Sequence, residues 1–389
     1  MAVLQDGSVT AVSTSELLRE WGRIGVLGFG GPPAHISMLR ELCVEDREWI
    51  DARHFEDANA ACGLLPGPAS TQMAILMAHH VAGLRGALVG GLAFILPGLA
   101  IILVLSALYL GGTPPEWVRG LAAGAGAAVI AVVAQAGVSF GRAALEGRVG
   151  AERTRAIAYA LFAGGVTVIT GAWVVLALLA CGFAELAIRR RGWSDRAVSV
   201  ALPALVVAAT GVAALPALAW TAFKVGALSY GGGFVIIPLM QADAVRHGWM
   251  TDAEFGGALA LGQITPGPVT HTIAVVGYSA AGIGGALLAS LIAFAPSFLV
   301  VLMGGERFER VRANANARAF LDGAGPAAVG AILGASVLLL DGITETWQLA
   351  VVVVAALALF VARLGTVPVL LAAGAAGAVV ALAGGSVPG

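Results

Sequence analysis

The chain has 389 residues, of which 59% are hydrophobic and only 12% are charged, whereas about a quarter of the residues in soluble globular proteins are charged. Its formal net charge is −1 and its 22 basic residues cluster in short loops, which excludes an extended basic surface for nucleic acid. The composition therefore predicts an all-α integral membrane protein whose main solvent is the lipid bilayer.

Uncharged apolar stretches recur along the whole chain. Most exceed the roughly 20 residues that span a hydrocarbon core, and residues 255–305 are long enough for two spans. The first twenty residues carry Asp6, Glu16 and Arg19 and lack a continuous apolar run, so we expect no cleaved secretory signal. The stretches without Asp, Glu, Lys or Arg are residues 58–84, 86–115, 120–141, 156–184, 197–223, 255–305 and 364–389.

Residues near the N-terminus reappear, in the same order, about 200 positions later. Ordered blocks with nearly constant spacing predict a duplicated unit, with one membrane repeat at residues 1–195 and a second at 196–389. In each copy a glycine-ended segment precedes a more polar stretch, a span that contains Pro-Gly-Pro, and further spans. The matched blocks are residues 23–31 with 224–232, 49–68 with 249–268, 83–97 with 282–296, and 119–126 with 318–325.

The positions of the arginines predict the topology. Short loops rich in basic residues stay in the cytoplasm, so loops 142–155 and 189–196, and the N-terminus, are expected there. The basic loop of the second copy, residues 307–318, matches residues 113–119, which lie one span earlier in the first copy. Equivalent loops therefore face opposite sides, which predicts an inverted repeat. Secondary transporters use this arrangement, with substrate near the midplane between the repeats.

Two Pro-Gly-Pro segments interrupt long apolar runs and are followed by polar residues. Two prolines so close together make a continuous helix improbable, and broken backbone at membrane depth is tolerated only where protein or a cavity satisfies it. A half-helix that starts there directs free amides toward the cavity, which suits an anion. The alternative is a proline kink with hydroxyls bonded to their own helix. The predicted breaks are Pro66, Pro68, Pro266 and Pro268, and the predicted ligands beside them are Gly67, Ser70, Thr71, Gln72, Gly267, Thr270, His271 and Thr272.

Paired glycines end the preceding segment in each copy, at Gly30 and Gly31 and at Gly231 and Gly232. Glycine lets backbone amides approach a ligand closely, so all four are candidate binding residues. Tight helix packing or a turn would need the same residues.

One basic residue occupies the same place in each copy, within apolar sequence. Arg23 and Lys224 precede the glycines by about two helical turns. A cation in a membrane segment is expensive and marks a candidate functional site. Arg23, which lies close to Glu20, could equally extend to the membrane interface, whereas Lys224 is the stronger candidate for the anion.

Proton coupling is a hypothesis for two residues: His271, which follows the second Pro-Gly-Pro and belongs to the residue type that titrates near neutral pH, and Asp322, for which helix capping is the alternative. The other histidines are expected to be solvated or to mark a helix end. They are His35, His54, His79, His80 and His247.

Neither an enzyme nor a metal site is predicted. The sequence contains no HExxH motif, no paired carboxylate motif and no metal-ligand spacing, and we expect no cofactor. The cysteines Cys43, Cys62 and Cys181 lie far apart and are interpreted as packing residues. A homodimer through small residues such as Gly86 and Gly90 is a further hypothesis.

The motifs together resemble those of the chromate ion transporter family in its long, two-domain form. The resemblance covers essentially the whole chain. Tyr230 stands where that family more often has Phe. The residues that carry the resemblance are Leu27-Gly28-Phe29-Gly30-Gly31-Pro32, Leu64-Leu65-Pro66-Gly67-Pro68, Leu228-Ser229-Tyr230-Gly231-Gly232-Gly233 and Gln263-Ile264-Thr265-Pro266-Gly267-Pro268.

The resemblance implies a carrier of the bacterial inner membrane that exports chromate, confers resistance to it and is driven by the proton gradient, with sulfate as a competitor. An anion channel of the same architecture is the first alternative, and it would conduct without coupling to protons. A membrane enzyme or scaffold is the second, and it would need clustered acids, bases or metal ligands.

Overall fold

The computed structural model describes residues 12–64, 67–171, 173–190, 214–229, 231–304 and 314–388, and every regular element in them is helical. In the first half the α-helices are α1 (Thr14–Leu27), α2 (Pro32–Arg40), α3 (Ala52–Leu64), α4 (Ala69–Leu110), α5 (Glu116–Leu145), α6 (Gly150–Thr170) and α7 (Val174–Arg190). In the second half they are α8 (Ala214–Leu228), α9 (Ile237–Arg246), α10 (Asp252–Ile264), α11 (Thr272–Gly304), α12 (Ala315–Leu338), α13 (Thr346–Phe360) and α14 (Thr366–Leu382). The predicted boundary between residues 195 and 196 lies outside the described residues, as does Pro66.

Four helical stretches of the described chain are long and apolar enough to cross a membrane. They are Ala69–Leu110, Glu116–Leu145, Val269–Met303 and Ala315–Gly342. Exposed leucines and isoleucines form matched stripes on two of them, at Leu84, Leu88 and Leu92 of α4 and at Ile283, Leu287 and Leu291 of α11. An apolar stripe that no other helix covers is what lipid contact requires, so the chain is an all-helical integral membrane protein.

Helices α3 and α10 each begin at a side-chain cap, formed by Asp51 and by Thr251 with Glu254, and these residues are helix-start signals that the sequence itself carries. The carboxylate of Asp51 accepts a hydrogen bond of 2.9 Å from the amide of His54. Thr251 and Glu254 form a reciprocal capping box, in which each side chain bonds the backbone amide of the other residue. Each cap satisfies amides that have no partner within the helix, and so fixes where the helix begins.

Helices α4 and α11 each fold back on themselves at a glycine. The backbone is non-helical at Ala82 and Gly83 in α4 and at Ala281 and Gly282 in α11, and both glycines have a φ of +63°. Residues eight apart across the turn then touch. A Cβ on Gly86 would lie 2.0 Å from the carbonyl oxygen of Ala78, and a Cβ on Gly285 would lie 2.2 Å from that of Gly277.

The short helices α3 and α10 form hairpins with the first parts of α4 and α11. The ring nitrogens Nε2 of His54, at the start of α3, and His80, near the turn in α4, are 3.1 Å apart. The hydroxyl of Ser279 donates to the carbonyl of Trp249 at the matching place in the second half. Each arm has about 13 residues, or about 20 Å of helix, which is shorter than the hydrocarbon core.

The helices pack as two bodies, each of which takes elements from both halves. One body, the hairpin body, contains α1–α4 and α8–α11, where α1 packs on α4, α8 packs on α11, and α4 packs on α11, while α10 also packs extensively on α5 of the second body. The other, the frame, contains α5–α7 and α12–α14, where α5 packs on α13 and α14 while α12 packs on α6 and α7. The packing units are therefore distinct from the two sequence repeats.

The equivalent helices α5 and α12 run antiparallel. Gly137 of α5 packs against Leu333, and Gly141 packs against Val329. Beyond the end of α5, Arg148 bonds Asp322 near the start of α12, with 3.2 Å between the guanidinium and the carboxylate. Helix α5 thus defines two faces of the molecule, the Arg119 face near its start and the Arg142 face near its end.

Gly86 and Gly90 pack inside the chain, which contradicts the hypothesis that they form a dimer interface. A Cβ on Gly90 would lie 2.5 Å from Cβ of Ala78 and 3.3 Å from the ring of Trp21, and Gly86 lies against Ala78. Both glycines therefore allow the fold-back of α4 and its contact with α1. The homodimer itself stays a prediction.

Candidate functional site

The turns of the hairpins from both halves meet in the centre of the hairpin body. The amide of Gly67 donates a hydrogen bond of 3.1 Å to the carbonyl of Ser229, which follows α8. The amide of Gly267 donates one of 3.0 Å to the carbonyl of Gly28, which follows α1. Each Pro-Gly-Pro glycine is thus bonded to the glycine-ended segment of the other half. We call the turn around Gly67 the first tip and the turn around Gly267 the second tip.

Glycine is required at both tips because of the backbone conformation and the contacts. The φ angles are +125° at Gly67 and +107° at Gly267, in the region that L-residues rarely occupy. A Cβ on Gly67 would lie 2.3 Å from the side-chain amide of Gln72, and a Cβ on Gly267 would lie 2.8 Å from the ring of His271. Gln72 and His271 therefore occupy equivalent places beside the two tips.

Buried hydroxyls without hydrogen-bond partners surround the tips. Fully buried polar groups are nearly always bonded, so several such groups in one place indicate room for a polar ligand or water. A Cβ on Gly67 would be 3.5 Å from the hydroxyl of Ser297, and one on Gly233 would be 3.5 Å from that of Ser229. The unbonded hydroxyls belong to Ser70, Thr71, Ser229, Thr270 and Ser297.

His271 is fully buried in the second tip. Its ring lies edge-on against Phe294, with 5.1 Å between centroids, and faces the carbonyl of Ile95. Neither ring nitrogen has a hydrogen-bond partner of good geometry. A Cβ on Gly98 would lie 2.7 Å from the ring, so α4 of the first half closes directly over this histidine.

His35 is fully buried, and the expectation that it is solvated is wrong. Its Nε2 lies 2.8 Å from the carbonyl oxygen of Gly28, the oxygen that also accepts from the amide of Gly267. Because α1 and α2 turn sharply at Gly28, the imidazole of α2 is directed back onto the end of α1. It thereby supports the carbonyl that holds the second tip.

Lys224 is bound by an acid that the sequence analysis did not single out. Its ammonium forms an ion pair with Asp243 of α9, and Thr221 donates a hydrogen bond of 2.9 Å to the same carboxylate oxygen. The side chains of Lys224 and Asp243 are only 17% and 6% exposed. Its equivalent Arg23 is exposed, and therefore lies apart from the tips.

Two cavities lie on opposite faces, each between the hairpin body and the frame. The cavity on the Arg142 face has a volume of about 650 Å³ and is lined by Gly30, Gly31, Gln263 and residues of α5 and α13. The cavity on the Arg119 face, of about 360 Å³, is lined by Tyr109, Tyr278 and residues of α5. The tips therefore lie between two openings.

Comparison with known proteins decides the family. The family model described as "Chromate transporter" matches residues 15–186 and 216–379. The chain belongs to the chromate transporter family. The resemblance read from its motifs is thus confirmed, and the family is one of membrane transporters and not of enzymes.

Members of the chromate transporter family align with most of the chain. The chromate transport protein of Pseudomonas aeruginosa is 32% identical, with 94% of this chain and 92% of that protein covered. The chromate transport protein of Cupriavidus metallidurans is 31% identical, with 86% and 85% covered. An uncharacterized transporter of Methanocaldococcus jannaschii is 24% identical, with 75% and 76% covered. No solved structure matches the chain.

Most of the predicted site residues of this chromate transporter family member lie at or beside the tips. Thr272 is bonded within its own helix, because its hydroxyl donates to the carbonyl of Val269 at 2.9 Å. Gly231 and Gly232 open the 3-10 turn that follows the end of α8. The residues that lie together are Gly67, Pro68, Ser70, Thr71, Gln72, Pro266, Gly267, Pro268, Thr270 and His271.

Asp322, the second predicted proton-coupling group, lies far from the tips in an ion-pair cluster. Arg148 and Arg189 bond its carboxylate at 3.2 and 2.9 Å. Arg189 also bonds Glu185, which pairs with Arg155. The cluster joins α6 and α7 to α12, and it therefore stabilises the frame on the Arg142 face.

Sequence reasoning missed Asp243, Ser229 and Ser297. Asp243 has no acidic counterpart in the first repeat, where Leu42 occupies the matching position. An acid that occurs in only one repeat, within an apolar stretch, could have identified it as a candidate residue. Ser297 follows Pro296 as Gly98 follows Pro97, so it lies one residue beyond the aligned block. The cysteines are buried and unpaired, as predicted.

Proposed function

We propose that the chain is a secondary active transporter that exports chromate, or a related tetrahedral oxyanion such as sulfate, across the bacterial inner membrane. The N-terminus and the Arg142 face lie in the cytoplasm. The two repeats are inverted, and the anion binds at the tips where they meet. The antiparallel packing of α5 and α12 and the similarity to two chromate transport proteins support this proposal.

The reciprocal hydrogen bonds between the tips carry the proposal. Gly67 bonds Ser229 and Gly267 bonds Gly28, so a movement of one half displaces the ligands of the other. A tetrahedral dianion needs several donors but must also leave. Unbonded hydroxyls and the uncapped start of α4 at Pro68 offer donors without a trapped full charge.

Lys224 serves the site indirectly. Its charge is balanced by Asp243, so the buried pair contributes no net positive charge next to the anion. His271 is the proposed proton carrier, since it is the titratable group inside a tip. The proposed roles of Arg23 and Asp322 are weaker, because both lie apart from the tips.

The test is the flux of radiolabelled chromate and sulfate into proteoliposomes that contain the purified protein, with and without an imposed proton gradient. We expect chromate flux that depends on the gradient. Flux that does not depend on the proton gradient and is driven by the membrane potential alone would identify a channel instead. No flux of either anion would overturn the proposed substrate class.

A further inference from the structure

The two cavities differ in their charge. The cavity on the Arg142 face contains two arginines, Arg142 and Arg363, and no acidic residue among its described lining. The cavity on the Arg119 face contains Arg119 and Glu254, which balance each other. One opening is therefore electropositive while the other is neutral.

Arg142 and Arg363 are available to a ligand. The neighbouring arginines of the same face, Arg148, Arg155 and Arg189, are held by Asp322 and Glu185. Within the described chain, Arg142 and Arg363 form no ion pair, and both side chains are exposed. An unpaired guanidinium at the mouth of a cavity attracts anions and presents several donors in a fixed plane.

Arg363 is held at the mouth by an unusual backbone. Its φ is +55°, one of two positive values among the described non-glycine residues. It lies in the turn between α13 and α14, whose ends Phe360 and Thr366 line the same cavity. A non-glycine residue in this conformation costs about 1–2 kcal/mol and is retained where its position matters.

The deep end of this cavity offers donors and leads to the second tip. The side-chain nitrogen of Gln263 is buried and has no hydrogen-bond partner, and Gln263 lies three residues before Pro266. Gly30 and Gly31 line the same space with positive φ values of 102° and 74°. They precede α2, whose first turn has no side-chain cap.

We propose that this cavity is the loading site for a tetrahedral dianion that enters from the Arg142 face. Arg142 and Arg363 attract the anion, and Gln263 with the backbone of Gly30 and Gly31 receives it beside the second tip. This inference rests on the proposed function, and it names the side from which substrate loads. A cavity lined by one sign of charge concentrates the counter-charge, and exposed arginines do so without trapping the ion.

The test is the KM for radiolabelled chromate in inside-out membrane vesicles, in which the Arg142 face meets the medium. At low salt, Arg142→Gln with Arg363→Gln should raise KM by roughly tenfold or more and leave the maximal rate within about twofold. Added salt should raise the KM of the unaltered protein and have little effect on that of the double variant, because salt screens exposed charges.

Two controls separate local charge from general damage. Arg119→Gln removes an arginine from the opposite cavity, where the guanidinium bonds the carbonyl of Pro388 at 3.1 Å, and should leave KM unchanged. Arg142→Lys with Arg363→Lys keeps the charge and should keep KM within about threefold. An unchanged KM in the double Gln variant overturns the inference, as does an equal rise with Arg119→Gln.

Folding and transport failures are distinguished by two further measurements. If the double Gln variant does not reach the membrane, each single Gln variant is tested, and a KM rise below about threefold in both overturns the inference. Equilibrium binding of chromate to the purified protein is measured without transport. If chromate binds only when both arginines are present but no flux is observed, only the proposed function is refuted. If flux is observed and does not depend on the arginines, only the loading site is refuted.

Discussion

The two tips have nearly the same backbone but different side chains. Both glycines have positive φ and both donate to a carbonyl of the other half. Beside them, however, Gln72 in the first tip stands where His271 stands in the second. One helix away, Arg23 is exposed while Lys224 is paired with Asp243.

The two halves thus share the geometry of the turns and not the charges beside them. A backbone hydrogen bond between halves constrains both partners, so neither tip can change shape alone. Side chains next to the tips are free of that constraint, and the buried Lys224–Asp243 pair and the imidazole of His271 lie in the second half. We therefore expect backbone changes to act alike in both halves and charge changes to act only in the second.

The largest effect is expected at the Lys224–Asp243 pair. Lys224→Met leaves a buried carboxylate unpaired and should lower the free energy of unfolding by about 3–5 kcal/mol. Removal of both charges in Lys224→Met with Asp243→Leu should restore most of that loss. The amount of folded protein in the membrane and its thermal stability measure both. Arg23→Met is the matched control, and a loss there as large as at Lys224 would contradict the asymmetry.

Helix packing should respond alike in the two halves. A Cβ on Gly226 would lie 2.1 Å from the carbonyl oxygen of Ala293, and one on Gly25 would lie 2.6 Å from that of Phe94. Backbone oxygens cannot move aside, so Gly226→Ala and Gly25→Ala should each destabilise by about 1–3 kcal/mol. Gly284→Ala, which meets nothing within 4 Å, is the control in a thermal-unfolding assay. If either Gly226→Ala or Gly25→Ala left the stability unchanged, the two halves would not be equivalent in their helix packing.

The tip glycines should matter for transport in both halves. Gly67→Ala and Gly267→Ala force a side chain into positive φ, at a cost of about 1–2 kcal/mol each, and disturb the hydrogen bond to the other half. We expect chromate flux in proteoliposomes to fall by about tenfold in both, since that cost is felt at the site. Gly112 also has a positive φ, of +64°, and a Cβ there would meet nothing within 4 Å, so Gly112→Ala should preserve flux. If only one of the two variants, Gly67→Ala or Gly267→Ala, lost flux, the tips would be shown to work independently.

The smallest effect on folding is expected when the second tip is made like the first. Gln occupies the equivalent place in the first tip, so we expect His271→Gln to destabilise the buried site by no more than about 1 kcal/mol. If His271 carries protons, the dependence of flux on pH should flatten in this variant while flux itself persists. Transport assays over a range of pH measure this, and an unaltered pH profile would remove His271 from the coupling mechanism.

Much of the fold could be predicted because the relevant signals are local or periodic. Apolar length predicted the helices α4, α5 and α11. The capping residue Thr251 and its partner Glu254 predicted where α10 begins. The fold-back at Gly83 and Gly282 was not foreseen, because glycine in an apolar run is compatible with either a straight helix or a turn. Only the contacts eight residues apart decide between them.

The candidate site was predicted in part for the same reason. Paired prolines and glycines identify the tips wherever they lie in space. The partner of Lys224 is 19 residues away on another helix, and the burial of His35 depends on a turn at Gly28, so neither follows from spacing. The unbonded hydroxyl of Ser297 lies on α11 and reaches the tip of the other half.

Composition and repetition are properties of the chain alone, so they predicted that the chain lies in a membrane, that it is duplicated, and that the Pro-Gly-Pro segments separate helices. Tertiary packing determined where α4 and α11 fold back, that the tips bond across the halves, that hairpins of both repeats form one body, and that one cavity is electropositive. These features depend on which distant groups become neighbours. That choice is made by packing, where burial of a charge or a polar group is tolerated only if another part of the chain supplies its partner.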